Sequence, residues 1–331
     1  MDLDSKIYIA GHRGLVGSAL VRQLNANGNH KIITRTHAEL DLTNQRVVCD
    51  FFAHEKPNFV FLAAARVGGI IANNSYPAEF IYSNLSIQNN IVHSAWKNGV
   101  ERVIFLGSSC IYPKECPQPI KEEYLLTGPL EPTNRPYAIA KIAGVEMCHA
   151  YNRQYGTKYL AAMPTNLYGP GDSYDLDNSH VLPALIRKMC EAKLSGAAEV
   201  VLWGSGLPRR EFLYVDDLAN ALVFLATLDD KRYDKLVSPA AWPMINIGTG
   251  KDGSIRELAE VIASVVGYTG KFVQDTSKPD GTMRKVLDVS KIKGLGWTAK
   301  ISLKDGIALT HKKFIEFSHE RNHSDGCYES G

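Results

Sequence analysis

The sequence predicts an α/β protein: a doubly wound parallel sheet carrying a smaller α/β lobe. Three observations carry that expectation. Short apolar runs alternate with longer helical patterns through the first half of the chain. A turn with spaced glycines separates the first run from the first helical pattern. The second half loses the regular alternation and opens on a segment rich in Gly, Pro, Asp and Asn.

Lys6–Ala10, Lys31–Arg35, Phe59–Ala64 and Arg102–Gly107 read as strands buried on both faces, since their apolar runs are nearly uninterrupted. Leu15–Asn27, Thr43–His54 and Pro77–Asn98 read as the helices between them. A further helix, about Tyr137–Tyr155, leads to a strand at Lys158–Met163. Tyr168–Asn178 reads as a loop. Helices near His180–Leu194 and Val215–Leu228 flank an apolar strand at Val200–Trp203. Ile245–Gly250 reads as another strand. Ser254–Gly267 reads as a helix, with Ser254 as N-cap and Glu257 at the capping-box position. From about Ser318 the chain is polar and is expected to fray. The division that follows is a first domain over 1–165, with 211–250 returning to it. A second lobe takes 166–210 and 251–320, and 321–331 is a tail.

The chain has 331 residues and a net charge of +2, a balance that gives no long-range pull towards nucleic acid or membrane. Phosphorylated ligands must then be met by local basic residues. The first residues enter a strand at once, and no apolar stretch approaches the roughly 20 residues of a bilayer span. The six cysteines lack Cys-x-x-Cys spacing, which argues against a disulfide framework and against a metal site. A cytoplasmic protein with reduced thiols is expected.

Gly11-His12-Arg13-Gly14-Leu15-Val16-Gly17 lies directly between the first strand and the first helix. Glycines at this spacing permit a tight turn, close approach of the backbone to a pyrophosphate, and close helix–strand packing. The helix N-terminus behind them favours an anion. The first half is therefore expected to be a Rossmann-type dinucleotide-binding domain. The second strand ends in Arg35-Thr36-His37, where a fold that prefers NAD usually offers an acid to the ribose. Arg35, with Arg13 in the glycine turn, suits a 2′-phosphate, so NADP(H) is the expected cofactor. His37 stands beside the same position, and Asp41-Leu42 are candidates to hold the adenine.

Tyr137 and Lys141 lie four residues apart after Pro136, hence on one helical face. A phenol near pKa about 10 is a weak acid, and an ammonium beside it favours the phenolate. Tyr137 then suits proton transfer to the oxygen of a carbonyl that accepts hydride. The strand Arg102–Gly107 ends in Ser108-Ser109-Cys110, at the edge where parallel strands border a ligand crevice. Leu106, Gly107, Ser108 and Ser109 are expected along the cofactor, and one of the two serines to bind the substrate carbonyl. Spacing does not say which. Cys110 is a proton acceptor if cationic neighbours lower its pKa, and a small core residue otherwise. His180 is a candidate acid or base, against the commoner structural histidine.

The stretches GHRGLVGSAL, AAARVGGIIANN, FLGSSCIYPK, EPTNRPYAIAKIAG, MPTNLYGP, NSHVLPALIRK, WGSGLPRREFLYVDD, INIGTG and SKPDGTMRKVLDV together resemble the GDP-L-fucose synthases of the extended short-chain dehydrogenase superfamily. The resemblance runs to about residue 290. It implies conversion of GDP-4-keto-6-deoxy-D-mannose to GDP-L-fucose: 3,5-epimerisation next to the ketone, then reduction of the ketone by NADPH. It assigns Ser108, Tyr137 and Lys141 to reduction, with Cys110 as base and His180 as acid for epimerisation. It lays Pro164, Thr165, Asn166 and Leu167 along the nicotinamide, with Lys141 and His180 also at the cofactor. Lys188, Trp203, Arg210 and Asp280 would hold the GDP-sugar. It further implies a homodimer formed through helices such as Pro77–Asn98. The alternative is another NADP-dependent 4-reductase or epimerase acting on a related GDP-deoxysugar. A non-catalytic NADP(H)-binding protein is disfavoured, because Tyr137 and Lys141 are both present.

Overall fold

Ile7–Ala10, Phe59–Leu62, Arg102–Leu106, Tyr159–Pro164 and Met244–Ile247 are buried along their whole length. Segments apolar on both faces need a sheet covered on both faces. The computed structural model, which describes residues 1–176, 179–240, 242–278 and 280–325, provides that sheet. In spatial order it runs Ile32–Ile33, Ile7–Ala10, Phe59–Leu62, Arg102–Leu106, Tyr159–Pro164, Met244–Ile247. Every neighbouring pair is parallel. The chain steps from Ile7–Ala10 to one side and then crosses back to Phe59–Leu62. Right-handed crossovers therefore place helices on opposite faces, and the reversal opens a crevice at the C-terminal ends of those two strands. Leu15–Ala26 packs with Val215–Thr227, while Pro77–Lys97 packs with Gln45–Glu55 and Arg135–Tyr155.

A second, smaller sheet is centred on Arg209–Tyr214. That strand pairs with Asp252–Ser254 antiparallel, and with Arg284–Lys285 and Asn166–Tyr168 parallel. Glu199–Trp203 and Lys271–Asp275 form a separate two-stranded ribbon. The second core sets Leu182, Ile186 and Met189 against Leu258, Ile262 and Val266. The expected capping box of Ser254 and Glu257 is formed, with both reciprocal hydrogen bonds. No helix of the described residues is long and apolar enough to cross a membrane.

The structure departs from the sequence expectations at identifiable places. The second strand is only Ile32–Ile33, because it is an edge strand and Arg35 turns aside to Glu55. The strand expected at Ile245–Gly250 ends at Ile247, where Gly250 N–H turns to the Glu211 carboxylate at 2.7 Å. Tyr168 belongs to a strand, not to the following loop. The residues from Ser318 onward, expected to fray, continue the helix Leu303–Asp325. No proline or glycine interrupts that segment after Gly306. The rest of the expected tail, 326–331, lies outside the described residues. Leu287, Val289, Ile292 and Trp297 join the first core, although the sequence assigns 251–320 to the second lobe. Trp297 anchors them by donating to Asn220 Oδ1 at 2.9 Å.

Candidate functional site

Gly11 follows the first strand with φ at +86°. A β-carbon there would meet the backbone nitrogen of Ala64 at 2.7 Å, so a side chain would block the turn past the neighbouring strand. A β-carbon on Gly17 would strike the carbonyl of Gly11. Gly14 caps the helix Leu15–Ala26 without a side-chain hydrogen bond, so the N–H groups of Leu15, Val16 and Gly17 keep their anion-facing role. The cradle lies at the crevice where the strand order reverses, and it fits the pyrophosphate of a dinucleotide. His12 is half-buried in it and Arg13 is exposed at its lip.

Arg35 donates to Glu55 Oε1 at 2.6 Å and to the Thr34 carbonyl at 2.8 Å. Its guanidinium also stands 5.6 Å from the Phe51 ring centre. It is thus a held cation rather than a freely solvated one. Glu39 accepts the Thr36 N–H at 2.7 Å, a bond that keeps its carboxyl below the ordinary range. Asp41 accepts the N–H and hydroxyl of Thr43 at 2.9 and 2.8 Å, which lowers its pKa and commits it to the turn. His37 Nδ1 is 3.9 Å from the same carboxylate. Leu42 packs half-buried on the core, and its carbonyl accepts from Asn90 at 2.9 Å.

Pro136 falls in the first turn of the helix Arg135–Tyr155, which therefore begins two residues earlier than expected. Tyr137 and Lys141 sit one turn apart on it. Lys141 is buried and its Nζ donates to the Leu106 carbonyl at 2.7 Å. It lies 4.8 Å from the Phe105 ring centre and 5.8 Å from that of Tyr137. Burial pushes its ammonium down to about 8, with Cys110 opposing. Tyr137 meets Phe80 edge-on, the ring centres 6.4 Å apart. Burial, followed by Cys110, raises its phenol well above the ordinary value, and the Ser108 hydroxyl draws it back. The sequence expects Lys141 to lower that pKa. In this structure the ammonium is turned to the Leu106 carbonyl, and burial of the phenol wins.

The two serines separate clearly. Ser108 ends the strand, and its Oγ accepts the Cys110 N–H at 3.3 Å. Ser109 is buried in the short turn Ser109–Ile111. Ser108, not Ser109, is the serine that acts on the Tyr137 phenol. Gly107 admits the Met163 side chain, which a β-carbon would displace. Burial raises the Cys110 thiol, while Lys285, Ser108 and Lys141 lower it, in that order.

Lys285 is a residue that sequence reasoning missed. It lies in the short strand Arg284–Lys285, aligned with Arg210, and its charge acts on both Cys110 and Cys116. A basic residue inside RKVLDV carries no pattern that marks it out. His180 is the N-cap of the helix Val181–Ser195. The residue is exposed as a whole, yet burial by the surrounding protein holds its pKa below the ordinary value. Among the described residues no hydrogen bond joins His180 to the Tyr137 cluster.

Pro164 ends the fifth strand in chain order of the central sheet. Thr165 N–H donates to the Ile247 carbonyl at 3.0 Å. Thr165 Oγ1 and Asn166 Nδ2 both donate to the Glu211 carbonyl, at 3.2 and 2.8 Å. Leu167 packs half-buried on the first core. The four residues expected at the GDP-sugar gather in the second lobe. Lys188 Nζ is 5.0 Å from the Trp203 ring centre, and Lys278, which was not anticipated, is 5.2 Å from it. Asp280 accepts the N–H and hydroxyl of Ser205 at 2.7 and 2.8 Å, so it anchors the turn after Trp203. Burial lowers the Arg210 guanidinium pKa and the nearby Asp280 opposes it. Trp203 is 48% exposed, which leaves an aromatic face free to stack.

Among the described residues no group of His, Cys, Asp and Glu is arranged to hold a metal ion. A cavity of about 560 Å³ lies at the other edge of the sheet, against the starts of three strands at Phe59, Arg102 and Tyr159. It is separate from this site, and its cations Arg102 and Lys158 both pair with Asp230.

Residues 7–238 match the NAD dependent epimerase/dehydratase family. A putative GDP-L-fucose synthase 2 of Arabidopsis thaliana is 57% identical over 96% of this chain and 93% of its own. The GDP-L-fucose synthase of Escherichia coli K12 is 55% identical over 94% of this chain and 97% of its own. Among solved structures, the GDP-mannoheptose C4 reductase of Campylobacter jejuni with NADP bound has a TM-score of 0.86 and 43% identity. It covers 95% of this chain and 99% of its own.

Proposed function

The chain belongs to the GDP-L-fucose synthases of the NAD dependent epimerase/dehydratase family, and from that premise we propose that it converts GDP-4-keto-6-deoxy-D-mannose to GDP-L-fucose. One observation carries the reading: a thiol, Cys110, adjoins the Ser108–Tyr137–Lys141 cluster and has a cation, Lys285, acting on it. Reduction alone needs only the cluster. Inverting two carbons beside a ketone also needs groups that take and return protons.

NADPH, when bound, supplies the hydride. Its 2′-phosphate would meet Arg13, Arg35 and His37, and its pyrophosphate the glycine cradle. Ser108 hydrogen-bonds the C4 carbonyl oxygen. Cys110 takes a proton from carbon, and Lys285 offsets the cost of a buried thiolate. His180 returns a proton from its place at the helix N-cap. Burial favours the neutral form of each, so these roles call on a thiolate and an imidazolium that burial opposes and, at Cys110, Lys285 supports. Tyr137 protonates O4 after the inversions, and Lys141 orients the nicotinamide ribose. Lys188 and Arg210 neutralise the diphosphate, with Trp203 stacking beside them.

The working form is a homodimer. The adjacent helices Pro77–Lys97 and Arg135–Tyr155 present Tyr82, 69% exposed, and Ile139, 42% exposed, and a second copy would cover them. The compartment is the cytoplasm, consistent with free thiols at all five described cysteines.

Similarity to the Campylobacter reductase supports a second reading, a GDP-sugar 4-reductase without epimerisation. Incubation with the 4-keto sugar nucleotide and NADPH in deuterated water separates the two. We expect GDP-L-fucose carrying deuterium at C3 and C5. A reduced sugar with hydrogen at both carbons would establish the second reading instead.

A further inference from the structure

Glu211 is wholly buried, and the chemistry above gives it no task. It stands in the central strand of the second sheet, between the diphosphate candidate Arg210 and an apolar run. Its two carboxylate oxygens reach different loops. Oε2 accepts the Leu287 N–H at 2.8 Å. Oε1 accepts the Gly250 N–H at 2.7 Å and the Thr249 hydroxyl at 3.3 Å. Gly248 lies so close that a β-carbon there would collide with Oε1. A buried charge is costly unless its oxygens are met by donors, and here backbone N–H groups meet both. Such a group is retained at a cost in stability where it fixes a geometry.

The geometry it fixes is that of Lys285. Leu287, whose N–H is held, lies two residues beyond Lys285 in the same segment. The paired register of that segment sets Lys285 opposite Arg210, the residue before Glu211. The same segment is tied to the loop after Cys110, since Ile120 N–H donates to the Val286 carbonyl and Val286 N–H to Gln118 Oε1. By contrast, Lys141 is held by the Leu106 carbonyl of the central sheet, without recourse to this segment.

We propose that Glu211 is a positioning residue that sets Lys285 against Cys110, so that proton exchange at the sugar carbons depends on it more than hydride transfer does. This rests on the epimerase reading above. A glutamine at 211 is nearly isosteric, but its NH₂ would face a backbone N–H, donor against donor. One of the two loops is then released.

The test compares two rates in the full-length enzyme. Exchange is read as deuterium entering C3 and C5 of the 4-keto sugar nucleotide without NADPH. Hydride transfer is read as single-turnover NADPH oxidation on the already epimerised sugar nucleotide. In Glu211→Gln we expect exchange to fall by about tenfold more than hydride transfer, the scale of a small misplacement of a reacting group. Glu211→Asp keeps the charge with a shorter reach and should show the same ordering with a smaller gap, which covers poor folding of the glutamine variant. In a Lys285→Ala background the glutamine should cost no further exchange. Equal losses in both rates, or additive losses in the double variant, would overturn the role of Glu211 and leave the epimerase reading intact. No exchange in the unaltered enzyme would overturn both.

Discussion

The two lobes are built on different physics. In the first, the strands are apolar at nearly every position and buried on both faces, so close packing holds the sheet. In the second, Glu199–Trp203 alternates exposed and buried residues, and Arg209–Tyr214 begins with two arginines. Its strands are held as much by charge: Asp252 accepts from Arg284 Nε at 2.5 Å and Arg209 Nε at 3.3 Å. The proposed hydride machinery thus stands on a packed floor, and the proposed sugar-nucleotide grip on polar scaffolding. The charge of Lys285, in the second lobe, acts on Cys110, in the first, so the difference predicts that reduction and epimerisation can be broken separately.

The largest effect expected is on that separation. Tyr137→Phe removes the proposed proton donor to O4, and NADPH oxidation should fall by roughly 10²–10⁴-fold, the range for losing a general acid. Deuterium exchange at C3 and C5 should survive. Cys110→Ser should do the reverse, slowing exchange while retaining hydride transfer to the epimerised sugar. Mass spectrometry of the sugar nucleotide and absorbance of NADPH read the two in parallel. Loss of both activities in each variant would show that the floor and the grip are not separable.

A smaller, graded effect is expected from pH. Lys141 is held down to about 8 by burial. Its charged form therefore prevails below about pH 8 and is lost above it. The kcat/KM for reduction should bend downward near pH 8, about tenfold per unit beyond the bend. Lys141→Arg, which stays charged, should remove the bend, and a bend that persists in that variant would assign it to another group. The sign for stability is opposite. Between about pH 8 and the ordinary lysine value the unfolded chain binds more protons, so the fold gains stability as pH rises through that window.

What could be read from sequence follows the same division. The first-lobe strands were legible because apolar runs announce burial. Gly11, Gly14 and Gly17 were legible because a tight turn beside a strand excludes side chains. Tyr137 and Lys141 were legible because four residues make one helical turn. The strands Arg209–Tyr214 and Arg284–Lys285 were not, since arginine and lysine in a strand look like a solvated loop until their partners are known. Lys285 and Lys278 were hidden for that reason. Spacing left Ser108 and Ser109 equivalent, and it takes the folded turn, with Ser109 buried in it and Ser108 capping it, to distinguish them.

The smallest effect tests the polar scaffolding by itself. The Asp252 side chain is only 9% exposed, while its partners Arg209 and Arg284 are 40% and 50% exposed. Its carboxyl is held below the ordinary value: burial alone would raise it, but the two arginines together outweigh burial. Asp252→Asn should therefore destabilise the protein at neutral pH by only about 1 kcal/mol, since half-exposed ion pairs contribute little. Phe52→Ala, in the first core, should cost about 3–5 kcal/mol through the cavity it leaves. A depressed carboxyl gives its stabilisation above its unfolded pKa of about 3.9 and loses it as pH falls through the lower folded value. The gap between Asp252→Asn and the unaltered protein in urea unfolding should accordingly close at acid pH, whereas the Phe52→Ala gap has no titrating group and should persist. High salt should narrow the first gap and leave the second. Equal pH and salt responses in the two variants would mean that the second lobe, too, is held by packing alone.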